Sequence, residues 1–147
     1  MRTLIDVTLS QEEMYVDQKG IGGACLIMQT GSEERSPLSI TVLKPFIPSG
    51  KDFGLALQFF RDLGFQTNWQ ADGLAELQLG AAIFILQDFH NQEMQENLMI
   101  YAGVDDLDAW WRHIQYPGVR AKEPTVYPWG KREVHLIDPA GVCWHFA

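Results

Sequence analysis

A repeat at an offset of 54 residues constrains the fold of this chain more than any other feature. In each copy an aspartate precedes an amphipathic run that ends at a glycine. Aspartate is favoured as a helix N-cap, and glycine tolerates the left-handed conformation that ends many helices. Six positions of the two runs match in residue class: Asp52 with Asp106, Phe53 with Leu107, Leu57 with Trp111, Phe60 with Ile114, Gly64 with Gly118 and Phe65 with Val119. We therefore predict that one supersecondary unit occurs twice.

Apolar runs on both sides of each predicted helix indicate strands, because they are short and are bounded by glycine, proline and polar residues. Strands are predicted at residues 38–47, 74–79, 82–86, 98–104, 134–137 and 142–146. The predicted fold class is α+β, with two paired βαβββ modules at about residues 38–88 and 97–147. Two such modules form a curved mixed sheet whose outer face packs the helices and whose inner face lines a crevice. A ligand is expected in that crevice.

Three polar segments between these elements are predicted to be loops or linkers. Residues 66–73 and 123–130 are expected to be loops beside the crevice, and residues 88–97 a linker between the modules. None of the three has the apolar periodicity of a buried helix or strand.

The first 37 residues differ from the rest of the chain. Short strands are predicted at residues 3–9 and 24–29, and residues 31–37 form a connector without apolar residues that ends in proline. We therefore expect an N-terminal extension at residues 1–37 and a domain at residues 38–147. The extension could extend the sheet, cap a dimer or reshape the crevice.

Composition excludes several classes of partner and location. The formal net charge of −8 disfavours nucleic-acid binding, because acidic surfaces repel phosphate. Cys25 and Cys143 are far apart and lie in no CxxC motif, which argues against a disulfide framework and favours a reducing, cytoplasmic location. No apolar stretch approaches the 20 or so residues of a membrane span, so no membrane association is expected.

Four segments carry a resemblance to a known family. They are Phe59–Phe65, Val104–Trp110, Pro128–Glu133 and Asp138–Gly141. Together they resemble the glyoxalase, bleomycin-resistance and dioxygenase (vicinal oxygen chelate) superfamily, and the final segment resembles its bleomycin-resistance branch. The resemblance extends over about 110 residues, from Leu38 to Ala147. It implies the paired-module fold. The matching segments indicate the fold more specifically than they indicate an activity.

The resemblance also implies where a metal would bind. Metal-dependent members of the superfamily hold a divalent ion with His, Gln or Glu on the first and last strands of each module. The repeat offsets carry those positions to Pro45, Ile85, Met99 and His145, of which only His145 is a metal ligand. We therefore predict no metal and no cofactor. A shifted register that brings in Gln87, Asp88 or His90 remains an alternative.

Trp129 is the strongest candidate for ligand binding. It lies in a loop rich in proline and glycine, and it matches the tryptophan on which flat ligands stack in the bleomycin-resistance family. An alternative is that Trp129 only fills a dimer seam. Trp69 is a second candidate. The acidic residues Asp72, Glu76 and Glu133 could favour a cationic ligand.

Strand alternation places four further candidates on the inner face. Met99, Tyr101, Ile85 and His145 would line an apolar pocket with one phenol and one imidazole. The same alternation directs Trp144 and Phe146 to the helices. Cys143 is interpreted as a small buried hydrophobic residue, and no catalytic residue is predicted.

Three functions are compatible with these features. The first is a homodimer that sequesters a small, flat, hydrophobic molecule, either neutral or cationic, such as an antibiotic, in crevices between its subunits. The second is an enzyme of the same fold, either a metal-dependent lyase or isomerase or a metal-free one. The third is a structural role with a filled pocket and an inert Trp129.

Overall fold

Two aspartates begin the two helices that the repeat predicts. The computed structural model describes residues 38–147, in which Asp52 caps α1 (Phe53–Asp62) and Asp106 caps α3 (Leu107–His113). Each aspartate accepts a 2.9 Å hydrogen bond from a backbone N–H of the first turn, which satisfies a donor that the helix leaves free. Gly64 and Gly118, which follow the helices, both have positive φ. The helix prediction is therefore confirmed.

Eight strands form two four-stranded sheets, one in each module. They are β1 (Phe46–Pro48), β2 (Gln66–Ala71), β3 (Leu74–Leu79), β4 (Ala82–Gln87), β5 (Met99–Ala102), β6 (Arg120–Val126), β7 (Arg132–Ile137) and β8 (Cys143–Phe146). The strand orders are β1-β4-β3-β2 and β5-β8-β7-β6, so the two sheets have the same topology. In each sheet the first pair is parallel and the others are antiparallel. This confirms the α+β fold of two βαβββ modules.

One core is shared by the two modules. Phe60 of α1 packs edge-on against Phe84 of β4 and Trp144 of β8, at ring distances of 5.0 and 5.4 Å. Phe84 and Trp144 also contact each other across the core, 5.5 Å apart. Trp144 and Phe146 are buried, as strand alternation predicts.

Because both sheets bury one face in this common core, their other faces point away from each other. We call them the first inner face (Lys44, Phe46, Asn68, Trp69, Glu76, Ile83 and Ile85) and the second inner face (Met99, Tyr101, Tyr127, Trp129, Glu133, His135, Cys143 and His145). Phe46, Met99 and Tyr101 are more than half exposed on these faces. A crevice bounded by both faces therefore cannot form within one chain.

The first strand is shorter than its sequence predicts. A strand was expected over residues 38–47, but β1 contains only Phe46–Pro48, which pair with Ile85–Gln87. The preceding apolar side chains, including Leu38, Ile40 and Leu43, are exposed. An alternating sequence becomes a strand only where a neighbouring strand exchanges hydrogen bonds with it. In the described part of the chain, hydrogen bonding to β4 begins at Pro45, whose carbonyl accepts from the Ile85 N–H at 2.9 Å.

The loops predicted at residues 66–73 and 123–130 are partly strands. They contribute to β2 and β6, the edge strands that pair with β3 and β7. Both edge strands are polar, and each has a register irregularity, between Thr67 and Trp69 and between Lys122 and Thr125. Apolar periodicity does not detect such strands, because their sequences carry no continuous buried face.

The linker predicted at residues 88–97 contains a third helix, α2 (Gln92–Asn97), capped by Asn91. Its anchor is Gln95, which is buried and donates a 2.6 Å hydrogen bond to the Ala140 carbonyl. The sequence gives little sign of this helix because it buries an amide instead of an apolar stripe.

The Asp138–Gly141 turn has the predicted form. The Asp138 carboxylate is buried and accepts hydrogen bonds from the Ala140 and Val142 backbone and from the Trp144 indole. Burial raises the pKa of Asp138, although these hydrogen bonds oppose the rise. Gly141 has a φ of +96°, which explains the glycine at this point of the turn.

Two further sequence predictions concern the N-terminal extension and membrane association. The strands expected within residues 1–37 lie outside the described residues. Among residues 38–147, no helix is long and apolar enough to cross a membrane.

Candidate functional site

A buried carboxylate organises the second inner face. Glu133 lies on β7 with Val134 and Leu136 alternating into the core, so its side chain and that of His135 point to the inner face. Although only 3% exposed, Glu133 accepts three hydrogen bonds: from Trp129 Nε1 at 2.8 Å, from His135 Nε2 at 2.8 Å and from His145 Nδ1 at 3.1 Å. We call Glu133, Trp129, Tyr127, His135 and His145 the carboxylate cluster.

These hydrogen bonds keep Glu133 ionised. Burial alone would raise the pKa of its carboxyl group, but the hydrogen bonds from His135, Trp129 and His145 outweigh burial and hold the pKa below its usual value. The second inner face therefore carries a negative charge that is shielded from water by aromatic rings.

An aromatic stack covers this charge. Tyr127 is nearly parallel to both Trp129 and His135, with ring centroids 4.7 and 4.3 Å away. Its hydroxyl group donates to His135 Nδ1 at 3.1 Å. Trp129 packs on one side against Tyr127, yet it remains 58% exposed. A large aromatic surface is thus held rigidly and left open to a ligand.

Two lysines lie near tyrosine rings of the second inner face. Lys122 Nζ lies 5.2 Å from the centroid of the Tyr127 ring, and Lys131 Nζ lies 5.3 Å from that of Tyr101. Both distances are within the range of a cation–π interaction.

Below the aromatic rings, three metal-ligating side chains approach each other. His135 and His145 are opposite residues of β7 and β8, with ring centroids 3.9 Å apart. Cys143 lies two residues before His145 on the same face, and one ligand atom from each of the three residues lies within 4.8 Å of the others. Burial, together with the carboxylates of Asp138 and Glu133, raises the pKa of the Cys143 thiol.

The first inner face also contains a buried carboxylate, but this one is paired with a cation. Glu76 of β3 accepts a 2.7 Å hydrogen bond from Lys44 and a 3.1 Å hydrogen bond from the Asn68 amide. The Lys44 hydrogen bond is the main reason that the pKa of Glu76 is lowered. Asn68 also donates to Gln78, so the polar groups of this face bind mostly to each other.

The predicted binding residues divide between the two faces. Trp69 and Ile85 lie beside Glu76 on the first inner face, since both are its register partners. Trp129, Met99, Tyr101 and His145 lie on the second. The structure thus groups four of the six candidates and leaves the other two on the opposite side of the same chain.

The strand register also corrects the metal-ligand positions that the resemblance implies. Phe46, and not Pro45, pairs with Ile85, and Tyr101, and not Met99, pairs with His145. The first strands are therefore related by 55 positions, whereas the helices are related by 54. Phe46 and Ile85 offer no metal ligand, and they lie on the other inner face from His145. The residues present do not fit the metal site of the metal-dependent members.

Sequence reasoning missed much of the carboxylate cluster. The sequence patterns predict no role for Tyr127 or His135. Applying the alternation of β8 to β7 would have placed Glu133 and His135 beside His145, because Val134 and Leu136 mark the core face. Cys143 is half-buried on the inner face, whereas a buried hydrophobic residue was expected.

Comparison with known proteins agrees with the fold. The family model described as glyoxalase/bleomycin resistance protein/dioxygenase superfamily matches residues 49–146. A comparison with curated proteins gave no match.

Solved structures with a similar fold include both binding proteins and an enzyme. A bleomycin-binding protein from Streptomyces verticillus, complexed with copper(II)-bleomycin, is 23% identical with a TM-score of 0.59, over 74% of this chain and 98% of its own. A glyoxalase/bleomycin resistance protein from Catenulispora acidiphila is 29% identical with a TM-score of 0.58, over 71% and 94%. A lactoylglutathione lyase from Agrobacterium tumefaciens is 17% identical with a TM-score of 0.56, over 74% and 93%.

Proposed function

The chain belongs to the glyoxalase/bleomycin resistance protein/dioxygenase superfamily, and from that premise we propose that it binds and sequesters a small, flat, hydrophobic and cationic molecule. Binding requires neither a resident metal nor covalent chemistry. The ligand lies in a crevice between two chains of a homodimer.

The observation that carries this proposal is the aromatic stack beside a buried, ionised carboxylate. Trp129 offers an exposed indole face to a flat ring, and Glu133 holds a negative charge at the Nε1 edge of the same indole. A cation above the stack gains both the ring quadrupole and the carboxylate field.

The second chain is required because the two inner faces of one chain point apart. In a C2 pair, the first inner face of one chain can meet the second inner face of the other, and each subunit contributes equally. Such pairing would cover Phe46, Met99 and Tyr101 and would bring Trp69 and Ile85 of one subunit opposite the partner's carboxylate cluster. The site of a single chain is incomplete.

The ligand hypothesis is tested by titrating the full-length, metal-stripped protein with bleomycin and with cationic aromatic compounds, each beside a neutral analogue. We expect saturable quenching of tryptophan fluorescence and tighter binding of the cations. Calorimetry should show that Trp129→Ala weakens binding about 2- to 13-fold through lost stacking alone. Leu55→Ala, on an exposed site of α1, is the matched control and should change nothing.

Two results would contradict the proposal. One is equal affinity of the wild type and Trp129→Ala for every compound that binds. The other is full affinity in a protein that light scattering shows to be monomeric at the concentrations of the titration.

The enzyme alternative follows from the similarity to the lyase. It requires turnover that depends on an added divalent metal, and Phe46, Ile85 and Tyr101 at the corrected metal positions argue against it. Metal-dependent lyase or isomerase activity that survives His145→Ala would show that these positions are misassigned.

A further inference from the structure

We propose that His135, Cys143 and His145 form a site for a borderline transition-metal ion of the Zn²⁺ or copper class. This inference goes beyond the proposed ligand binding, which needs no metal. It also differs from the metal site of the superfamily, because all three ligands lie on two neighbouring strands of one module.

The first argument is proximity. One ligand atom from each residue lies within 4.8 Å of the others, so modest side-chain rotations would bring them to a common ion at about 2.0–2.3 Å. The backbone already fixes two of the relationships, since His135 and His145 are register partners and Cys143 shares the face of His145.

The second argument is the donor set. Two imidazoles and one thiolate favour zinc and copper over magnesium or calcium, which prefer oxygen ligands. Three protein ligands leave a coordination position open, and all three residues are half-buried and therefore within reach of solvent.

The third argument is the orientation of the imidazoles. Glu133 Oε2 accepts from His135 Nε2 at 2.8 Å and from His145 Nδ1 at 3.1 Å. In the neutral imidazoles this leaves lone pairs on His135 Nδ1 and His145 Nε2. A carboxylate that fixes the tautomer of a metal-binding histidine is the usual outer support of such sites. Here one carboxylate supports two histidines, and binding at His135 Nδ1 would displace the hydrogen bond from Tyr127.

The test is a titration of the full-length, metal-free protein with Co²⁺ and, by competition with a chromogenic chelator, with Zn²⁺. We expect one ion per chain and a near-ultraviolet thiolate-to-cobalt charge-transfer band. Cys143→Ser should abolish the band, whereas Cys25→Ser, which removes the other cysteine of the chain, should retain it. His135→Gln and His145→Gln should each weaken Zn²⁺ binding at least tenfold.

Glu133→Gln tests the outer support and should weaken Zn²⁺ binding about 10- to 100-fold without removing the cobalt band at saturation. Circular dichroism and urea midpoints of the metal-free variants establish that each one folds. Trp129→Ala separates this inference from the proposed function, because it should lose affinity for the organic ligand and keep the cobalt band.

A cobalt complex without a thiolate band would overturn the proposal. So would a band that disappears in Cys25→Ser, or equal Zn²⁺ affinity of the wild type and Cys143→Ser. In those cases the three residues serve only the hydrogen-bonded network around Glu133.

Discussion

In the first module the buried carboxylate of Glu76 is neutralised by Lys44, and in the second module the buried carboxylate of Glu133 is held by an indole and two imidazoles. The strand order around both is the same. The Lys44 ammonium neutralises the carboxylate and can only donate, whereas an imidazole that donates to Glu133 keeps a second nitrogen that can accept a hydrogen bond or bind a metal. At His135 that nitrogen already accepts from Tyr127. One scaffold thus carries one face whose buried carboxylate is paired with a cation and one whose buried carboxylate is held by an indole and two imidazoles.

The largest expected change in stability concerns the core that the two modules share. Trp144→Ala should lower the free energy of unfolding by about 3–5 kcal/mol, because it opens a cavity where Phe60, Phe84 and Phe65 meet. Both modules should still unfold in one transition, since they share that core. Urea unfolding followed by fluorescence and by circular dichroism measures both quantities. Two separate transitions would mean that the modules are independent.

Trp144→Phe is the matched variant. It keeps a six-membered aromatic ring in the core and removes the pyrrole ring together with its hydrogen bond to Asp138. The loss should be smaller than that of Trp144→Ala, with about 1–3 kcal/mol from leaving the buried Asp138 with one partner fewer and the rest from a smaller cavity.

An intermediate effect distinguishes the two carboxylates. Glu133→Gln should lower the free energy of unfolding by about 1–3 kcal/mol, because an amide cannot accept from all three donors of the carboxylate cluster. Glu76→Gln should cost less, since the new amide oxygen still accepts from Asn68 and the side chain of Lys44 is one-third exposed. Urea midpoints at neutral pH give the comparison. Equal losses of unfolding free energy would show that the two carboxylates contribute equally to stability.

The smallest effect is in the pH dependence of the first module. Because its folded pKa is lowered, Glu76 contributes stability above the ordinary carboxyl pKa of 4.5 and loses it as the pH falls through the folded value. Lys44→Met removes the main cause of that shift. Its free energy of unfolding should therefore fall less steeply than that of the wild type as the pH decreases below 4.5. The measurement is the free energy of unfolding as a function of pH. If Lys44→Met has the same slope as the wild type, Lys44 is not the main cause of the lowered pKa of Glu76.

The sequence predicts the helices and the core strands because those elements bury apolar residues at regular spacing. Asp52, Asp106 and the alternation of Trp144 and Phe146 all have the predicted places. The edge strands β2 and β6 and the helix α2 escape prediction, because cross-strand hydrogen bonds and one buried amide hold them and leave no periodic pattern.

The candidate site is predicted less completely than the fold. Local alternation places Met99, Tyr101, Ile85 and His145 on inner faces, but it does not reveal that the faces of one chain point apart. That arrangement depends on contacts such as Phe84 with Trp144, which join residues 60 positions apart in the chain. The Trp129–Glu133 hydrogen bond likewise depends on the path of the loop that precedes β7.

The opposed inner faces make subunit complementation possible in the proposed homodimer. Each of its two crevices would take one face from each subunit, so a lesion on either face would damage both crevices of a mutant homodimer. Mixing Trp69→Ala chains with Trp129→Ala chains would place both lesions in one crevice of the heterodimer and leave the other intact. Mixing two weakened preparations would then restore wild-type affinity in one crevice of each mixed pair.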